Sequence, residues 1–434
     1  MQHVSPSSPI QNSERAQVLD LMRGLALIGI FLNNIYGFSG YGFLEEAQQQ
    51  KFATYPIDHI ADYLQIIFVE GKFYSLFSFL FGIGFSILLR RGEQKGHNTS
   101  ALFYRRLLVL FLIGAAHLFL LWEGDILLLY AVLGALLPLF RNCTNRTVLI
   151  WAFALILSPI LIDIAKLWLQ ASPAQFLQPI GVAIDTENGI TEQNWRSFLF
   201  TENSGWREWR AWLESGWTFR FYYLLDSNRL PKVLGVFLLG LFAGQKMIYA
   251  RLAEHKRLLK KTMQWGYGVG IPFSIAMAYF EHDERAVFTS AWGLADTVSY
   301  ALSVVPLALA YAATIGLLYT RYPQALTFFA PAGRMALTTY LSQTLIGILL
   351  FYNIGLGLGQ QFGLVFLFCL VVVVYTLQAF FSKWWLRRFQ YGPVEWIWRQ
   401  LTYGKRLPLQ RQKELPAQES GFSILTPATK EPLP

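Results

Sequence analysis

Glu70-Gly71-Lys72 stands immediately before the apolar run Phe73–Leu89, which closes on Arg90-Arg91. Ionisable residues at the lip of such a run need a partner or a task, because Lys or Asp at mid-bilayer costs roughly 2.5–3.5 kcal/mol, less near the interface. One reading is a polar site at a bend between an interfacial and a spanning helix, with Glu70 in acid–base work and Lys72 on the substrate. The other is a local ion pair, or Lys72 snorkelling to headgroups. His117 and Asp125 flank the short Trp122-Glu123-Gly124 turn, which places them on neighbouring antiparallel helices. A carboxylate beside an imidazole fixes its tautomer and orientation, as a general base requires. Asp125 also suits the N-cap position after Gly124, and His117 an interhelical hydrogen bond.

His59 adjoins Asp58 and precedes Asp62 by three positions, so a third acid–base cluster is conceivable there, against a solvated interfacial histidine. No second histidine stands at metal-ligand spacing, and no metal site is expected. Asp20 and Arg23 share a helical face and suit a salt bridge. Arg23 with Arg105 and Arg106 also offers a place for a phosphorylated donor, against a role in orientation alone. Asp296 and Arg334 interrupt apolar segments; they are expected to pair between two C-terminal spans or to line a substrate path. No Gly-Lys phosphate loop, Gly-x-Ser-x-Gly or His-Glu-x-x-His is found.

The elements that must hold these residues are membrane spans. Of 434 residues 54% are hydrophobic and 15% charged, against about 25% charged in soluble domains. Apolar segments predict about ten spans, near 19–38, 72–89, 104–121, 125–140, 147–168, 232–249, 262–280, 297–318, 335–353 and 361–382. The expected fold is an all-α, polytopic transmembrane bundle with interfacial amphipathic helices. The net charge of +9 follows loop parity and forms no basic, aromatic-studded face, so no nucleic acid is expected. With the N-terminus inside, the short inner loops hold 13 Lys and Arg and the outer segments two, Lys51 and Arg285. That bias places both termini in the cytoplasm.

Ile57–Glu70 carries its apolar residues on one helical face, which suits an interfacial helix that breaks at Gly71 and dives inward. Segment 171–229, rich in Trp, reads as an outer-face, headgroup-level region. Gly392–Gly404 reads as a short surface helix, Pro393 in its first turn and Gly404 at its stop. Residues 1–17 and 405–434 are expected to be disordered. Cys143 and Cys369 imply no disulfide framework.

Several stretches together carry a resemblance: Leu19–Leu27, Glu70–Gly82, Gly124–Ala131, Gly333–Gln343 and Tyr391–Gly404. In order and across nearly the whole chain they resemble the YeiB-like family of bacterial inner-membrane proteins, which carry a C-terminal domain of unknown function. The resemblance implies multi-pass insertion in the bacterial inner membrane and a five-span family domain over 230–404.

Asp20-x-x-Arg23-Gly24 and the Phe-rich run to Arg91 are more distantly similar to the heparan-α-glucosaminide acetyltransferase-like transmembrane acyltransferases. That likeness implies an acyltransferase-like region over 18–170 and no permanently bound cofactor. Cytoplasmic acyl-CoA would be the co-substrate and an envelope glycan or lipid on the far face the acceptor. The base would be His59 or His117, with Glu70 as its orienter and Arg23, Arg105 and Arg106 on the CoA phosphate. The Trp and Gly that follow the catalytic histidine in those relatives are missing around His59. A transporter or exporter of a small molecule is the other class of function, with Glu70, Lys72, Asp296 and Arg334 along its path.

Overall fold

The computed structural model describes residues 17–94, 99–287, 289–324 and 326–411. Sixteen helices account for the architecture. The first half holds α1 Gln17–Ser39, α2 Glu46–Gln49, α3 Tyr55–Phe68, α4 Lys72–Gln94, α5 Thr99–Leu120, α6 Leu127–Gly134, α7 Asn145–Leu169 and α8 Leu177–Glu187. The second holds α9 Trp206–Asp226, α10 Arg229–Gln245, α11 Lys256–Glu281, α12 Ala291–Arg321, α13 Ala330–Arg334, α14 Ala336–Phe351, α15 Leu364–Arg388 and α16 Pro393–Tyr403. Among the described residues, β-pairing is confined to one bridge, Phe389 to Gln410.

Every expected span falls on a helix, but among the described residues six helical stretches are long and apolar enough to cross a membrane, seven if one bent pair counts. The expected count of ten is therefore revised. Segment 125–140 divides into α6 and a 3-10 turn at Leu137–Phe140, where Pro138 interrupts the helical ladder. The 17 residues of α10 reach about 26 Å, short of the ~30 Å hydrocarbon core. The α11 helix carries Gly266, Gly268 and Gly270 at its middle and a basic first turn. Segment 335–353 belongs to a pair of helices bent by 83° at Met335.

The α3–α4 expectation is corrected in shape. The helix breaks at Gly71, whose φ is +76°, yet Tyr55–Gly92 runs on without the sharp bend seen between α13 and α14. Packing explains why glycines sit where they do. A Cβ on Gly82 of α4 would lie 2.0 Å from the carbonyl oxygen of Phe237, and one on Gly240 of α10 2.0 Å from that of Phe79. The two backbones therefore touch, as small residues allow between membrane helices. Helix α1 runs through the bundle with Leu27, Phe31, Ile35 and Phe38 buried, against α4, α13, α14 and α15.

At the C-terminal end, Pro393 opens α16 and Gly404, φ +64°, stops it. The expected disorder of 1–17 and 405–434 falls largely on residues outside those described. Residues 405–411 are an exception to it: Gln390 N–H donates to the Leu409 carbonyl at 2.8 Å and Arg411 N–H to that of Arg388 at 3.0 Å.

Candidate functional site

The break between α3 and α4 builds the first wall of a polar cavity. Gly71 supplies the left-handed turn that an L side chain resists. Lys72, fully buried, turns back so that its Nζ donates to the Ile66 carbonyl at 2.5 Å. The charge thus satisfies a helix C-terminus, where a cation is favoured, and does not reach for headgroups. Glu70 faces the other way. Its carboxylate has no hydrogen-bond or ion-pair partner among the described residues and lines a cavity of about 230 Å³. Asn33 and Asn34 from α1, Tyr74, Trp122, Gly124, Arg220, Tyr223, Arg229 and Tyr340 share its lining with apolar side chains such as Ile30, Phe73 and Leu129.

Arg229 is the cavity's fixed cation. It is 7% exposed and caged by tyrosines. Its Nη1 donates to the Tyr300 hydroxyl at 2.8 Å, its Nη2 donates to that of Tyr223, and its guanidinium lies 4.4 Å from the Tyr74 ring centroid. No carboxylate lies within salt-bridge distance among the described residues. A buried guanidinium held by neutral hydroxyl acceptors and aromatic faces keeps its field directed at whatever enters beside it. Arg220 is anchored differently: its Nε donates to the Asp125 carbonyl at 3.0 Å and fixes the turn behind the cavity.

His117 and Asp125 meet. Nδ1 of His117 lies 2.8 Å from Oδ2 of Asp125, and Nε2 lies 2.9 Å from Thr344 Oγ1 on α14, all three buried. Asp125 also accepts the Leu128 N–H on Oδ1 at 2.7 Å, so one carboxylate orients the imidazole and caps α6. The histidine ring packs against Tyr340 and Trp122, which separate it from the cavity they line. Beside it in the turn, burial pushes the Glu123 carboxyl upward, while Oε1 accepts Trp212 Nε1–H at 3.1 Å.

His59 stands elsewhere. It is exposed on α3, against the rings of Tyr63 and His282. Eleven positions of helix and turn, about 16 Å of rise, separate it from Glu70. His282 meets Asp62 at 2.7 Å, and Asp62 also accepts the Tyr36 hydroxyl at 2.6 Å, which joins α1, α3 and the end of α11. The hydrogen bond to Asp62 raises the His282 pKa above its usual 6.5, with burial opposing.

The Asp296–Arg334 pairing does not form. Asp296 lies in the second turn of α12, a helix of 31 residues and about 46 Å, and Arg334 follows its far end. Arg334 donates from Nη2 to the Gln390 carbonyl at 2.9 Å. A different network ties α7 to α12: Asp163 accepts Lys166 at 2.8 Å, Asn228 Nδ2–H at 2.7 Å and the Thr297 hydroxyl at 2.5 Å. At the far end, Arg23 pairs with Asp20 at 2.8 Å and Arg106 stacks on Trp398 at 4.3 Å. Arg105 abuts Gly404, where a Cβ would lie 3.0 Å from its Nη2. Arg399 and Arg23 both lie within electrostatic reach of Arg106.

Sequence reasoning passed over Arg220, Arg229 and the tyrosines around them. Arg229 opens α10, two residues before Pro231, and a charge there resembles an ordinary flank. The usable signal was the register of Arg220, Tyr223 and Leu224, one helical face of a segment otherwise read as headgroup-level.

Bundle and cavity together define a polytopic helical membrane protein with a cavity of mixed polar and apolar lining. Residues 243–405 match the family described as protein of unknown function (DUF418). The chain is 31% identical to "Uncharacterized protein YxaH" of Bacillus subtilis (strain 168) over 95% of this chain and 100% of that one. It is 30% identical to "Uncharacterized protein YeiB" of Escherichia coli (strain K12) over 90% of this chain and 96% of that one. The chain belongs to this YeiB-like DUF418 family. No solved structure matches it significantly.

Proposed function

We propose that the protein is a membrane acyltransferase whose acceptor hydroxyl reacts in the Glu70 cavity. The observation that carries this reading is one unpaired carboxylate and one caged guanidinium, Arg229, facing the same 230 Å³ space. That volume is below the ~300–1,000 Å³ of sites for drug-sized ligands, so it suits a single polar group. Glu70 takes the proton of the acceptor O–H, and the oxygen attacks the thioester carbonyl of acyl-CoA. Arg229 faces the developing oxyanion. The C–S bond breaks as the C–O ester bond is completed, and the proton passes from Glu70 to the CoA thiolate. His117 and Asp125 act as positioning residues behind Trp122 and Tyr340. The cluster of Arg23, Arg105 and Arg106 would hold the CoA phosphates at the cytoplasmic end, with the cavity at the outer end of an inner-membrane protein.

The bent helix pair favours a transporter as the second reading, since broken helices often aim an N-terminus at a substrate. Here that N-terminus is occupied. Glu395 accepts the Leu337 and Thr338 N–H groups at 2.6 and 3.0 Å. Labelled acetyl-CoA supplied to proteoliposomes tests the proposal: transfer to lipid or glycan by wild type, abolished in Glu70→Gln, is expected. Neither CoA binding nor transfer by wild type would sink it, and gradient-driven flux without CoA would replace it with transport. Loss in His59→Ala with Glu70→Gln active would move the base to His59.

A further inference from the structure

We infer that the groove between the end of α5 and α9 seats the phosphate headgroup of an anionic membrane phospholipid and leads it sideways into the Glu70 cavity. This names the acceptor's class, and it rests on the cavity being where the acceptor reacts.

The groove encloses about 720 Å³. One wall is the end of α5, long and apolar enough to cross a membrane, where Leu120 is 64% exposed. The other wall is α9, with Trp206 69% exposed at one end and Trp217 at the other. Tryptophan beside the end of a span belongs at headgroup depth. The polar lining is two guanidiniums against one carboxylate. Arg207 is exposed with no ion-pair partner among the described residues, whereas Arg210 lies 3.5 Å from Glu214. Glu214 also accepts from Asn188 Nδ2–H at 3.1 Å. The net positive lining suits a phosphate, which planar guanidinium groups grip with paired N–H donors. A free phosphate would leave the aromatic and leucine walls unused, whereas a phospholipid lays its chains along α5 and its phosphate against α9.

The groove and the cavity are lined by neighbouring positions of the same two segments. Leu120 and Trp217 line the groove; Trp122 and Arg220, two and three positions further along the same segments, line the cavity. On α9, residues 206, 210, 213, 217, 220 and 224 recur at helical spacing and share a face. A headgroup seated at Trp206 thus lies on the α9 face that carries Arg220.

A phosphatidylglycerol with a photoreactive diazirine on its headgroup tests the assignment in phosphatidylcholine nanodiscs holding the full chain. Labelling should map to the peptide covering 206–217. Unlabelled phosphatidylglycerol should compete about thirtyfold better than phosphatidylcholine, as expected from roughly 1 kcal/mol for each of the two arginines near a charged headgroup. The Arg207→Gln/Arg210→Gln double variant should lose that selectivity, while labelling of the peptide around Trp168, 83% exposed on α7, stays unchanged. Equal competition by both lipids, or unchanged labelling in the double variant, overturns the groove assignment whatever the acyl-transfer assay gives. Selective labelling without any acyl transfer keeps the groove and removes the enzymatic reading alone.

Discussion

The ammonium of Lys72 donates to the Ile66 carbonyl across 2.5 Å, so the first residue of α4 closes the last turn of α3. This turns the lysine away from the cavity and leaves Glu70, two residues earlier, as the group that faces it. Lys72→Met is expected to leave a buried carbonyl unpaired, at a cost of about 1–3 kcal/mol. Thermal unfolding in detergent measures it. An unchanged midpoint would remove the capping role.

Glu70→Gln keeps the shape of the cavity and removes its base. Acyl transfer should fall by about 10²–10⁴-fold while lipid labelling at α9 persists. Single-turnover transfer from labelled acetyl-CoA reads the first, photolabelling the second. Loss of both together would point to a collapsed cavity in place of a missing base.

Glu395 reaches from α16 to the start of α14, where Oε2 also accepts the Thr338 hydroxyl at 2.5 Å. Helix N-termini leave N–H groups without intrahelical partners, and α14 begins at the 83° bend. Glu395→Ala should cost about 0.5–2 kcal/mol and speed amide exchange at residues 337 and 338 ahead of the rest of α14. Uniform exchange along α14 would contradict this.

The His282–Asp62 contact should make the α3–α11 junction pH-dependent. Asp62 holds the His282 pKa above 6.5, Tyr63 stacks on the ring at 4.2 Å, and His59 and Glu281 are the neighbouring titratable groups. A raised folded-state value means the stabilisation is complete below the unfolded value of 6.5 and is lost as pH rises through the folded value. The unfolding midpoint should therefore decline as pH rises above 6.5, and Asp62→Asn should flatten that decline. An equal decline in Asp62→Asn would assign the effect to other groups.

Gly240→Leu should break the contact of α4 with α10, since even a Cβ at 240 would strike the Phe79 carbonyl at 2.0 Å. Overpacking of this kind costs about 1–3 kcal/mol or more. Folded yield and thermal midpoint test it, and Gly84→Ala, which meets nothing within 4 Å, is the control.

Much of the architecture was legible because lipid selects it: apolar run lengths and the Pro393–Gly404 frame each obey a local rule. The count of about ten spans is not confirmed where hydropathy averages hide local geometry, as at Pro138 and at the bend by Met335. The His117–Asp125 contact was also legible, because a three-residue turn leaves two antiparallel helices little choice of register. Pairing Asp296 with Arg334 failed because sequence carries sign but not depth, and α12 holds the two at opposite ends.

By itself the sequence determined that this chain is a helical membrane protein, that the chain turns at Gly71, and that Glu70 and Lys72 cannot lie idle there. The tertiary structure decided which of the two faces the cavity. Lys72 is consumed by a carbonyl six residues behind it, an interaction set by the left-handed turn at Gly71. Glu70 faces Arg229, 159 positions away, because α4 and α10 cross where Gly82 and Gly240 let their backbones touch. Such long-range closeness arises from packing, and no local pattern encodes it.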